Sequence, residues 1–169
     1  MEHFEIERKF LIAMPDEKAL AALAQERGGE VWNIVQAYLR TEDGVSSRVR
    51  RVESGKKVAY YRTDKRKLTD LRRIEDEREI GGDEYIAAFM NADPDLKPIT
   101  KTRYRIPDGK LTWEVDVFPF WKRQAFLEVE LTSEDEAFVL PDFAKVIREV
   151  TADRAYTNRA LAREIPEEE

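Results

Sequence analysis

Cysteine is absent from the chain and histidine occurs once, as His3. The first absence removes disulfides, thiolate nucleophiles and sulfur-ligated zinc, and the second removes any cluster of imidazole ligands. A metal site here must be built from oxygen. No apolar run approaches the roughly 20 residues of a membrane-spanning helix, and the opening MEHFEIERKF lacks the apolar core of a secretory signal. The expectation is a cytoplasmic protein without membrane association. Glycine and proline number seven each in 169 residues and never gather into a linker, so residues 1–169 read as one domain. Excess positive charge is missing too. A net charge of −6 argues against nucleic acid held on a broad basic surface, while a concentrated basic pocket stays open.

What the chain has is charge, 38% of its residues, and much of it recurs with period two. Glu5, Glu7 and Lys9 start the pattern; Arg48 and Arg50, Glu75, Glu77 and Glu79, Lys101, Arg103 and Arg105, Glu114 and Asp116, Glu128 and Glu130 continue it. In an extended strand such residues share one face. Alternation predicts eight strands, at about 4–12, 30–40, 46–53, 56–64, 70–80, 97–106, 110–118 and 124–132. Turn residues such as Ser54-Gly55 and Asp108-Gly109 join neighbours into antiparallel hairpins. Helices are predicted in MPDEKALAALAQERGG, in GGDEYIAAFMN, over Pro141–Glu149 and over Arg154–Arg163, with a frayed tail at Pro166–Glu169.

Opposite the charged set stand Ile6, Phe10 and Ile12, then Val115 and Val117, then Leu127, Val129 and Leu131. An open sheet would turn its ionic face to water. Repeated on so many strands, the pattern instead predicts a closed eight-stranded antiparallel barrel with a charged lumen, its apolar outside covered by helices: mainly β, in an α+β arrangement. The inward acids are then Glu5, Glu7, Glu75, Glu77, Glu79, Glu114, Asp116, Glu128 and Glu130. The inward bases are Lys9, Arg48, Arg50, Arg62, Arg73, Lys101, Arg103 and Arg105. A dry interior could not hold them, because each unpaired buried ion costs several kcal/mol.

The basic strands suit phosphate oxygens, through the guanidinium forks of Arg48, Arg50 and Arg103 and the compact charges of Lys9 and Lys101. The carboxylates, without His or Cys, select a hard cation, Mg2+ or Mn2+. The competing interpretation is a lattice of internal salt bridges with no ligand. Tyr38, Tyr60, Tyr61 and Trp121 read as packing or rim residues, and Trp32, Phe118, Phe120 and Trp121 are candidates for a homodimer contact.

Glu5, Glu7 and Lys9 form an ExExK run. With QAYLR, SRVRR, KTRYRI, WEVDVF, LEVEL and EVTADRAYTN following in order, the chain resembles the CYTH superfamily, the triphosphate tunnel metalloenzymes, and in particular its small bacterial triphosphatases. The resemblance implies a tunnel that binds a triphosphate end-on and hydrolyses its terminal phosphate, most readily tripolyphosphate to pyrophosphate and phosphate. By the same likeness, metal falls to Glu5, Glu7, Glu114, Asp116, Glu128 and Glu130. Substrate contacts fall to Lys9, Arg48, Arg50, Arg62, Arg73, Lys101 and Arg103, and catalysis to Lys9, Arg62, Glu75 and Glu77. Arg62 stands where the family usually shows Lys. Thiamine triphosphatase, RNA triphosphatase and class IV adenylate cyclase share the scaffold, and a non-catalytic polyphosphate-binding module is the alternative outside enzymes.

Overall fold

In the computed structural model, residues 2–169 are described, Glu2 by its backbone alone. Eight antiparallel strands form the barrel: β1 (Glu2–Ala13), β2 (Glu30–Tyr38), β3 (Val45–Ser54), β4 (Lys57–Lys67), β5 (Arg72–Ile80), β6 (Ile99–Asp108), β7 (Leu111–Val117) and β8 (Gln124–Leu131). Their order is β5-β4-β3-β2-β6-β7-β8-β1, and a β5–β1 pairing closes the ring. The tight β3–β4 and β6–β7 turns place Gly55 and Gly109 at φ of 61° and 59°, a region that side chains with a Cβ disfavour.

Closure uses half of β1. Glu2–Ile6 pairs with Arg72–Asp76 of β5, and the same edge farther on, Phe10–Ile12, is taken by a ninth strand, β9 (Val146–Glu149). Here the structure corrects the expected helix over Pro141–Glu149. The open edge of β1 offers ladder hydrogen bonds, and the β-branched pair Val146-Ile147 suits a strand better than a helix.

Alternation divides the side chains as expected. Ile6, Phe10 and Ile12 point outward into an apolar layer with Trp113, Val115, Leu127 and Val129, and α1 (Glu17–Glu26) covers it with Leu20 and Ala24. Asp16 caps α1 by accepting from the backbone N–H of Lys18 and Ala19, the usual way to satisfy orphan donors at a helix start. On the opposite side α2 (Gly82–Met90) lays Tyr85 over Ala37, Val49 and Ile80. The expected terminal helix over Arg154–Arg163 is shorter: a 3-10 turn at Arg154–Tyr156, then α3 (Asn158–Arg163), which starts where the Thr157 hydroxyl accepts from Ala160 N.

One part of the lumen is apolar. Leu11, Tyr38, Ile99, Phe118 and Phe126 fill it, and the segment carrying Val150, Tyr156, Leu161 and Ala162 packs onto them. Phe118 and Trp121 are buried in this cluster, Phe120 stacks on Phe118 at 4.9 Å, and Trp32 lies under the Arg105 guanidinium at 4.6 Å. The four aromatics expected at a dimer contact are thus engaged within the chain.

Candidate active site

Cross-strand register decides which charges meet. β6 and β7 are neighbours, with Arg103 opposite Asp116 and Arg105 opposite Glu114, so these bases and acids pair across the ladder. Arg103 grips Asp116 with two nitrogens, at 2.7 and 2.8 Å, and reaches Glu114 at 3.3 Å and Glu128 at 3.5 Å. Lys101 donates to the same Asp116 at 2.8 Å and to Asn158 at 3.2 Å. Both oxygens of the fully buried Asp116 are therefore occupied by cations, and Glu114 is held by Arg103 and Arg105. Here these two acids hold the cations of the basic wall together. Burial, reinforced by Arg103 and Arg48, brings the Lys101 ammonium down to about 7 against the pull of Asp116 and Glu128. The Arg103 guanidinium, held by three carboxylates despite its burial, is pushed up.

A second group of acids is less well matched. His3, Glu5 and Glu75 offer ligand atoms within 4.8 Å of one another, Glu7 and Glu130 face each other across β1 and β8, and Lys65 bridges Glu5 and Glu75 at 3.1 Å each. Burial and the neighbouring Glu5 raise the Glu7 carboxyl. Glu130 is pushed up to about 7 by desolvation and by Glu5, Glu75 and Glu7, although part of it reaches solvent. Glu75 behaves oppposite to these two: burial opposes its charge, but hydrogen bonding and Lys65 hold it down to about 2. Glu5, Glu7, Glu75 and Glu130 thus gather around Lys65, with Lys9 and Arg48 close enough to act on Glu7 and Glu75. An all-oxygen donor set of this kind fits a hard divalent cation.

The third feature is a set of buried donors. Among the described residues, Nε of Arg48, and Nε and Nη1 of Arg50, have no hydrogen-bond partner. Arg50 keeps one contact, Nη2 to Glu77 at 3.1 Å, and burial beside Arg48 brings it down to about 10. Glu77, lowered by Arg50 and by a hydrogen bond from Thr63 in spite of its burial, stays ionised. Of these residues, Arg48 lines a cavity of about 400 Å3. Lys9, Arg48, Lys65, Lys67, Arg73, Arg154 and Arg159 line it against Glu7 and Asp153.

The expected residues are therefore brought together with one clear exception. Arg62 lies opposite Val49 on β3 and Arg78 on β5, on the outer face that α2 covers, with Asp64 at 3.7 Å. Lys65 supplies the inward cation on β4. Bases crowd the run DKRKLTDLRR, so charge alone could not fix the register; the alternation Tyr61, Thr63, Lys65, Lys67 could. Reading one signal per strand also missed His3, the amide of Asn158, and Arg154 and Arg159, whose segment carries no period-two pattern.

Residues 3–156 match the CYTH domain family. The chain belongs to it. This CYTH chain is 35% identical over 168 residues to the inorganic triphosphatase of Nitrosomonas europaea, covering 96% of this chain and 99% of that protein. Among solved structures, the inorganic triphosphatase NE1496 shares 31% identity and a TM-score of 0.56, covering 96% and 97% of the two chains. The PH1819 protein of Pyrococcus horikoshii shares the CYTH fold at 18% identity and a TM-score of 0.56, covering 78% and 80%.

Proposed function

We propose that the chain, as one domain over residues 1–169, is a metal-dependent inorganic triphosphatase that cleaves tripolyphosphate to pyrophosphate and phosphate. The observation that carries this reading is the set of unpartnered donors on the half-buried Arg48 and the buried Arg50. Buried polar groups are normally satisfied, and guanidinium forks match phosphate oxygens. Among the described residues lining the cavity, Tyr38 is the one aromatic, and it already lies beneath Arg159 at 5.9 Å. A stacking platform for a nucleobase is missing from that wall, which favours an inorganic chain, and the relatives named as inorganic triphosphatases support the same substrate.

In this reading Lys9, Arg48, Arg50, Lys65 and Arg73 contact the phosphate oxygens, and Lys101 and Arg103 supply positive potential from behind. Glu5, Glu7, Glu75 and Glu130 would hold Mg2+ or Mn2+. When bound, the cation offsets phosphate charge and helps activate the attacking water. Glu75 and Glu77, both kept ionised by their cationic neighbours, accept hydrogen bonds from that water and orient it in line with the terminal phosphorus. Strong bases are unnecessary where phosphoryl transfer is largely dissociative; position and electrostatics carry the rate.

The test is product identification after incubation with Mg2+ or Mn2+ and, separately, tripolyphosphate, thiamine triphosphate or ATP. Orthophosphate with pyrophosphate from tripolyphosphate supports the proposal. Cyclic AMP from ATP, or tight binding with no turnover of any of the three, overturns it.

A further inference from the structure

Residues 166–169, expected to fray, are instead anchored. Trp121 Nε1 donates to the Pro166 carbonyl at 3.2 Å, and Glu169 N donates to Oε1 of the fully buried Gln124 at 2.8 Å. The Glu169 carboxylate then accepts from Tyr156 OH at 2.9 Å and from Arg148 Nη2 at 2.9 Å. Arg148 sits 5.2 Å from the Tyr156 ring and also donates to Asp153 at 3.3 Å. Asp153 accepts from Ala155 N and so caps the turn that carries Tyr156.

Tyr156 links this strap to the cavity. Its ring is buried beside Trp121 and Phe126, at 6.2 and 6.1 Å, and its carbonyl accepts from Lys9 Nζ at 3.2 Å. Lys9 also lies 3.3 Å from Glu128 and 4.7 Å from the Phe126 ring. A three-residue turn has little rigidity of its own, so the direction of the Tyr156 carbonyl depends on what holds the ring and hydroxyl.

We infer that Glu169 is a positioning residue for Lys9: by clamping the Tyr156 hydroxyl it fixes the carbonyl that aims the Lys9 ammonium into the cavity. The inference rests on the proposed triphosphate site for its kinetic consequence, but the placement of Lys9 is measurable without substrate. In Glu169→Ala and Tyr156→Phe, Lys9 gains freedom and exposure, and its acylation by a small amine-reactive anhydride, followed by peptide mass spectrometry, becomes several-fold faster than in the parent. With tripolyphosphate, KM rises by about tenfold, the lower end of what one hydrogen bond to a charged acceptor contributes, while kcat changes less. Glu169→Gln, which keeps an acceptor oxygen, recovers part of both effects.

Unchanged Lys9 acylation in Glu169→Ala and Tyr156→Phe overturns the inference, as does a lower melting temperature with acylation and KM unmoved, which would make the strap merely structural. Faster acylation with KM unmoved in an active parent also overturns it. Faster acylation in a parent that hydrolyses no triphosphate leaves the clamp standing and removes the proposed activity instead.

Discussion

Replacing Asp116 by Asn tests whether this acid is the countercharge of the basic wall or a metal ligand. Asp116 is fully buried and holds Lys101 at 2.8 Å and Arg103 at 2.7 and 2.8 Å. The two cations respond differently to its loss. Lys101, already brought down to about 7, sheds its proton at neutral pH and adds little further cost. Arg103 cannot deprotonate and becomes a buried cation that has lost its main partner. Breaking a buried pair costs about 3–5 kcal/mol, and the remaining contacts to Glu114 at 3.3 Å and Glu128 at 3.5 Å favour the lower figure. At roughly 2–4 °C per kcal/mol for a chain of this size, the melting temperature should fall by roughly 6–12 °C. The assay is thermal unfolding with and without tripolyphosphate, without added metal. Because the bound anion replaces the missing charge, tripolyphosphate should raise the melting temperature more in Asp116→Asn than in the parent. A melting temperature within about 2 °C of the parent, accompanied by weaker metal binding, would refute this reasoning and return Asp116 to the metal.

Other outcomes follow from the same geometry. Lys65→Met should raise KM for tripolyphosphate on the order of tenfold, a charge-assisted contact being lost, whereas Arg62→Met, on the outer face, should leave kcat and KM within about twofold of the parent; steady-state kinetics on the two variants decides, and the reverse ranking would restore Arg62 to the site. Glu7→Gln should weaken Mn2+ binding, measured by calorimetry, with the fold kept, because it removes a donor whose charge its neighbours already oppose; unchanged affinity would put the metal elsewhere. Glu75 titrates at about 2 in the folded chain against an ordinary 4.5. Its contribution to stability is thus fully present above about pH 4.5 and lost as pH falls through about 2. Glu75→Gln should flatten the fall in stability across that window in acid denaturation, and an unaltered acid limb would contradict the Lys65 pairing.

The barrel was legible in the sequence because a closed sheet imposes one strict rule, inward and outward in alternation, and ExExK, SRVRR and KTRYRI obey it. Where two rules competed, legibility failed. In Lys65-Arg66-Lys67 every position is basic, so either register satisfied the charge pattern and the strand ran past the expected end. Residues 141–149 carry too few apolar positions to choose between helix and strand, and the vacant edge of β1 decided. The ion pairs of Asp116 and Glu114 were hidden for a different reason: β7 lies against β6, and partners across a ladder cannot be read from either strand singly. The tail looked frayed because its anchors, Gln124, Tyr156 and Arg148, are remote in sequence.

The central claim is that the triphosphate lies inside the barrel against the unpartnered arginine donors. It is tested most directly by calorimetric titration of tripolyphosphate into the parent and into Arg50→Ala, with thermal unfolding confirming that the variant keeps its fold. The account predicts that affinity falls by at least about tenfold, the loss of charge-assisted hydrogen bonds, while the unfolding transition stays cooperative. Equal affinity in a folded Arg50→Ala variant would contradict it.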